Sequence, residues 1–123
     1  MGFKRAIPAP TKSQQQRQND IRELGCIACW LDAHPHTPCE IQHLNSCGRN
    51  MGQDYTIGLC PWHHRGVIPD TIRLGSQAEL ILGPSFARTP RQFHDRYGSD
   101  MELLEKQNIM LTKYREVVHA TRY

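Results

Sequence analysis

Toward its end the chain repeats apolar residues at helical spacing: Leu103, Leu104, Met110, Leu111, Tyr114, Val117 and Val118 fall on one stripe. Such a stripe predicts a long amphipathic helix that packs on the domain or on a second subunit. Shorter helices are expected before it. Ser76 with Glu79, Thr89 with Gln92 and Ser99 with Glu102 each have the spacing of a capping box, Pro90 suits a first helical position, and Gly83 and Gly98 are natural stops. Near the front, Ser13 and Gln16 repeat the box, Ile21 and Leu24 give a short apolar stripe, and Gly25 fits the left-handed position past a helix end.

The centre has a different period. From Cys39 to Leu44 the run CEIQHL suits a short strand, and a loop containing Gly and Asn leads to a second strand from Tyr55 to Leu59. Pro61 has no N–H to leave unpaired in a first turn, so PWHHR is expected to start a helix directly after the second strand. The expected fold class is α+β, a small two-stranded hairpin surrounded by helices. Residues 1–12 are expected to be a flexible basic arm and 13–123 a single domain ending in the amphipathic helix.

Composition adds a constraint. With 123 residues, 38% of them hydrophobic and only 7% aromatic, the core is thin and a staple would help it. An odd cysteine count, no basic-then-apolar leader and no long apolar run lead to the expectation of a cytoplasmic chain without membrane insertion or disulfides. In that setting close Cys/His spacings more often mean zinc. Cys26-x-x-Cys29 and Cys60-x-x-His63 each let two ligands from one turn grip a tetrahedral ion, so together they read as one structural Zn²⁺ site. The alternative is a redox pair or buried small apolar groups at Cys26 and Cys29, with Cys60 in packing. Cys39 and Cys47 read as free thiols, the alternative being that one of them joins a metal site. The formal net charge is +3, and residues 1–19 carry Lys4, Arg5, Lys12 and Arg17 without an acid. That suits an arm that visits phosphates, or simply a solvated terminus.

Two further histidines, His43 and His64, have positions suited to chemistry. Phosphodiester hydrolysis needs an activated water and a cation at the developing charge, and imidazole can take the water's proton or bind the metal. His43 closes the first expected strand and His64 follows His63 on the expected helix, so that frame would bring both to a common site.

The segments CIAC, PCEIQHL and IGLCPWHHRG resemble the HNH nuclease pattern with its zinc-stabilised ββα-metal core. GPSFARTPRQFHDRYGSDMELLE resembles the tail of phage-encoded RecA-dependent nucleases, the Ref-like recombination-enhancement group. The resemblance runs from about Ile21 to Glu105. It implies a DNA endonuclease in recombination, in a bacterial host and encoded by a phage or prophage, with a RecA filament as activating partner. It further implies that His43 is the general base, that His64 binds Mg²⁺ or another catalytic divalent metal, and that Cys60 and His63 are structural. Gln42 stands where the class carries Asp or His as a metal ligand, and the class's middle Asn falls near Asp54 and Tyr55. Ala87 stands where related tails carry a histidine, leaving His94 or Asp70 as substitute ligands, with a solvated helix face the preferred reading of His94.

The remaining candidates have plain readings beside the functional ones. Arg65, Arg88 and Arg91 would surround the cleft and hold phosphates, or serve as ordinary surface arginines. Trp62 packs beside the zinc knuckle or stacks on a base, with packing preferred; His34, His36 and His119 read as surface residues. Because of Gln42 and Ala87, the competing function is a catalytically weak or inactive zinc module that binds DNA or a recombination protein. A purely structural zinc protein ranks third, since it leaves the doubled histidine unexplained. Homo-oligomers remain open.

Overall fold

The computed structural model describes residues 8–46, 49–68 and 77–121. Helix α1 (Lys12–Leu24) is capped by Thr11, whose side chain accepts from Gln14 N while the Gln14 side chain accepts from Thr11 N. The capping box expected at Ser13 and Gln16 is therefore displaced two residues upstream. The spacing is the same, and starting at Thr11 gives both Thr11 and Gln14 a backbone partner, whereas Gln16 donates to Asp20 inside the helix. Gly25 ends α1 at φ +82°, and a Cβ there would lie 2.6 Å from the Thr37 carbonyl oxygen. The position requires glycine for backbone and for space. The short helix α2 (Ile27–Leu31) follows at once, an element the sequence pattern did not predict.

Strands β1 (Glu40–His43) and β4 (Thr56–Leu59) form the expected antiparallel pair, with Glu40 opposite Leu59 and His43 opposite Thr56. Between them β2 (Asn45–Ser46) and β3 (Arg49–Asn50) make a second, two-residue ladder inside what the sequence showed only as a loop. Opposed residues share a face and neighbours alternate. Ile41, His43, Thr56 and Gly58 therefore face α1, where a Cβ on Gly58 would come within 2.7 Å of Ile21 Cγ2. Glu40, Gln42, Ile57 and Leu59 face the other way. Helix α3 (Pro61–Arg65) follows β4 directly, with Pro61 at its first turn as expected and Gly66 closing it in the left-handed region.

Helices α4 (Ala78–Leu82), α5 (Pro90–Tyr97) and α6 (Asp100–Thr121) complete the chain. Ser99 and Glu102 form the reciprocal box expected at the start of α6. The box expected at Thr89 does not form: the Thr89 hydroxyl donates to Glu79 Oε1 and the Ser85 carbonyl, and Pro90 alone provides the favourable first turn. Ser76 lies outside the described residues, and Gln77 precedes α4 as its N-cap without a side-chain cap bond. On α6 the buried stripe is Leu103, Leu104, Gln107, Met110 and Leu111, while Val117 is exposed. Gln107 is the polar member of that stripe because its Oε1 accepts the Gly58 N–H at 2.9 Å, satisfying the outer edge of β4. No helix among the described residues is long and apolar enough to cross a membrane.

Arg17 belongs to this framework and not to a mobile basic arm. Its guanidinium donates to Thr56 Oγ1 at 3.0 Å, the Thr56 carbonyl at 2.7 Å and Asn108 Oδ1 at 2.7 Å, joining α1 to β4 and α6.

Candidate metal centre and active site

Cys26 is the N-cap of α2 and Cys60 the N-cap of α3, and each thiol accepts the N–H of the residue three positions on, Cys29 or His63, at 3.4 Å. The Cys-x-x-Cys and Cys-x-x-His spacings are thus two copies of one device: a cap and a third-position side chain brought to the same side of a helix start. Both starts point at one place. Cys26, Cys29, Cys60 and His63 are all buried, with their donor atoms within 4.8 Å of one another.

The individual separations test the fit to a metal. His63 Nδ1 lies 3.5 Å from Cys26 Sγ, 3.5 Å from Cys29 Sγ and 3.2 Å from Cys60 Sγ, and Cys29 Sγ lies 3.9 Å from Cys60 Sγ. Tetrahedral zinc with ordinary Zn–S and Zn–N lengths has ligand–ligand edges of about 3.5–3.8 Å. The His63 Nε2–H donates to the Leu82 carbonyl at 2.7 Å, which leaves Nδ1 as the lone-pair nitrogen facing the sulfurs. Burial, then the Cys29 and Cys60 thiols, push Cys26 well above the usual thiol range, whereas bonds from Cys26 and Cys29 bring Cys60 down to about 3. The opposed directions mean that three buried thiols cannot all ionise unaided, and a divalent cation is the group that would let them do so together. The cluster could hold a structural metal such as zinc.

An outer layer orients His63. Tyr97 Oη lies 3.1 Å from His63 Nε2 and donates to Asp32 Oδ2 at 2.7 Å, and Arg96 donates to Asp32 Oδ1. Neither Tyr97 nor Asp32 was visible as a site residue in the sequence, because they come from α5 and the end of α2. Groups that orient a metal-binding histidine typically change affinity by about 10–100-fold when removed. Tyr97→Phe keeps the packing and the Leu82 bond, so a loss at the lower end, about tenfold in zinc affinity, is expected from competition with a chromophoric chelator. An unchanged affinity would show that Leu82 alone fixes the ring.

The two other histidines take different partners. His43, at the end of β1, places Nε2 2.9 Å from Gln53 Oε1. Gln53 directs its own Nε2 to the Pro8 carbonyl, so its oxygen faces the ring and His43 must be the donor. Nδ1 is then the basic nitrogen of His43. His64, on α3, meets Glu40 Oε1 through Nδ1 at 3.1 Å. Gln42 lies on the Glu40 face of β1, 9% exposed, and donates its Nε2 to the His43 carbonyl. His43 and Gln42 thus flank the strand on opposite sides, with His64 on the side of Gln42, so the two imidazoles expected to converge on a common site lie on opposite faces of β1, because the pleat turns successive side chains apart.

The arginines divide. Arg65 donates to both oxygens of Glu40, through Nε at 2.9 Å and Nη2 at 2.7 Å. Arg88 lies over the Trp62 ring at 5.3 Å and against Gly66, and Arg91 is exposed on α5. Trp62 is buried and donates Nε1 to the Gly83 carbonyl, the packing role preferred from the sequence. His94 is half-buried: Nδ1 meets the Gly98 carbonyl, Nε2 lies 3.6 Å from Asp100, and its ring contacts Phe86 and Phe93. Asp54 and Ala87 are exposed. Lys4, Arg5, Cys47 and Asp70 lie outside the described residues. Cys39 stands apart from the cluster, donating to the Ile21 carbonyl, and burial raises its thiol to about 11.

No curated protein gives a significant match to the chain. A family model described as recombination enhancement, RecA-dependent nuclease matches residues 10–112, a span that contains the hairpin, the Cys₃His cluster and both outlying histidines, and the chain belongs to that family.

Proposed function

We propose that the chain is a metal-dependent DNA endonuclease of the HNH, ββα-metal class, acting in recombination with a RecA filament as activator. Its setting is the cytoplasm of a bacterial host, with a phage or prophage as source. The single observation that carries this reading is the placement of Gln42 and His43 on opposite faces of β1, a strand paired on one edge only among the described residues, beside His64 on α3. Hydrolysis of a phosphodiester proceeds roughly in line, the attacking water entering opposite the leaving oxygen. A phosphate at that edge would have the base on one side and the metal ligands on the other.

In this reading His43 Nδ1 takes the proton of the attacking water, and its Nε2–H bond to Gln53 keeps that nitrogen free. His64 Nε2 and the Gln42 amide oxygen would hold Mg²⁺ or a similar divalent ion, which when bound supplies positive charge at the leaving oxygen. An imidazole and a neutral amide suit such a cation but would hold it weakly by themselves, so its affinity would rise with DNA present. Arg88 and Arg91, with Lys4 and Arg5, supply phosphate contacts. The Cys₃His cluster binds a structural Zn²⁺.

The neutral side chain at Gln42 also favours a second reading, a zinc module that binds DNA or a recombination protein without cutting. One assay separates them: cleavage of DNA with and without RecA filaments and ATP, in Mg²⁺, Mn²⁺ or Zn²⁺, for the wild type and His64→Ala. Metal-dependent nicking that falls to background in His64→Ala, at unchanged zinc content, is expected of the nuclease. Inactivity in every condition with salt-sensitive DNA binding would replace it by the module.

A further inference from the structure

We infer that Glu40 is the positioning residue of His64, fixing the imidazole as the Nδ1–H form so that Nε2 faces outward as the free lone pair. The inference rests on the reading of His64 as a metal ligand and adds to it a residue that the sequence pattern passed over.

Position is the first ground. Glu40 opens β1 opposite Leu59, and α3 begins two residues after Leu59, so the strand start and the first turn of the helix are neighbours. The pleat places Glu40 on the same face as Gln42, two residues along. The second ground is a chain of bonds. His64 Nδ1 lies 3.1 Å from Glu40 Oε1, and the same carboxylate receives Arg65 Nε at 2.9 Å and Nη2 at 2.7 Å. A carboxylate so held is ionised and accepts only, so the proton of a neutral His64 lies on Nδ1. Arg65 in turn holds the carboxylate in the orientation that meets the ring. The two bonds also keep Arg65 on Glu40, in place of the phosphate contact expected from the sequence.

Third, the fold does not need this contact for its stability. Glu40 and Arg65 are 34% and 53% exposed at their side chains, and pairs of that kind contribute little to folding. His63 offers the contrast one residue earlier: its Nε2–H is tied to Leu82 and its Nδ1 faces the cluster. Adjacent histidines thus have opposite tautomers, each selected by the acceptor on its far side.

The test uses zinc-loaded full-length protein and two variants, Glu40→Ala and Glu40→Gln, the second keeping the side-chain shape. Nitrogen NMR of the imidazoles, with His64 identified by its disappearance in His64→Ala, reads the tautomer above the imidazole titration. Calorimetric titration with Mn²⁺ alone reads the metal position without any turnover. The wild type is expected to show one tautomer, Nδ1–H. Glu40→Ala is expected to give a mixture and to weaken Mn²⁺ by about 10–100-fold, with Glu40→Gln between, all at unchanged zinc content and melting temperature. A single unchanged tautomer and unchanged Mn²⁺ affinity in Glu40→Ala, while His64→Ala abolishes Mn²⁺ binding, would overturn the inference and leave the metal reading standing. Mn²⁺ binding that survives His64→Ala would overturn both together.

Discussion

Removing the structural metal by chelation is expected to unfold the chain, with loss of helical circular dichroism and of any cutting in the same transition. The cluster joins the start of α2 to the start of α3, and all three of its cysteines are members of the hydrophobic core. Those two helices have five residues each, too short to persist without tertiary support. A structural zinc site contributes about 10–16 kcal/mol of apparent binding free energy to folding. Net stability of an ordinary domain is about 5–15 kcal/mol, so the ion is of the same size as the whole balance. Cys60→Ser should reproduce the unfolding without a chelator, because serine can still cap α3 but takes a thiolate ligand from the cluster. Cys39→Ser, outside the cluster, should retain one zinc per chain and the wild-type melting temperature. Persistence of the native spectrum in metal-free protein would show that packing alone holds the two helix starts together.

The sequence was most legible where one local rule was enough. Cys26, Cys29, Cys60 and His63 were readable because each pair spans a single turn, and the two turns differ from anything packing alone requires. The β1–β4 pairing followed from two apolar-rich runs, and α3 from Pro61. The capping box at the front was misplaced because two overlapping boxes, Thr11 with Gln14 and Ser13 with Gln16, satisfy the same spacing. Side-chain chemistry that crosses elements was hidden: Asp32 and Tyr97 behind His63, Gln53 behind His43, and Glu40 behind His64 are each separated in sequence from the ring they orient. Gln107 was hidden for another reason, since a glutamine in an apolar stripe makes sense only once the Gly58 N–H at the strand edge is seen. A signal did exist for Glu40. Period-two alternation puts it on the face of Gln42, and the expected helix is bound to pass that face.

His43→Ala is expected to lower the rate of DNA cleavage by about 10²–10⁴-fold, the usual contribution of a general base, while leaving the fold in place. Structure should survive because His43 ends its strand half-buried and its ring meets Gln53, a side chain that has Gln18 and the Pro8 carbonyl as further partners. The loss should be in kcat, since the proton leaves the water only as the transition state forms, and DNA binding should change little. Gln53→Ala should cost less than His43→Ala: it frees the ring to rotate and to exchange tautomers, but leaves a base within reach. The order of the two losses matters more than either size. If Gln53→Ala were as inactive as His43→Ala at full zinc content, the ring's function would lie in holding Gln53, not in taking a proton. If His43→Ala cut DNA at the wild-type rate, the water would be activated elsewhere and the face of β1 opposite Gln42 would have no part in the chemistry.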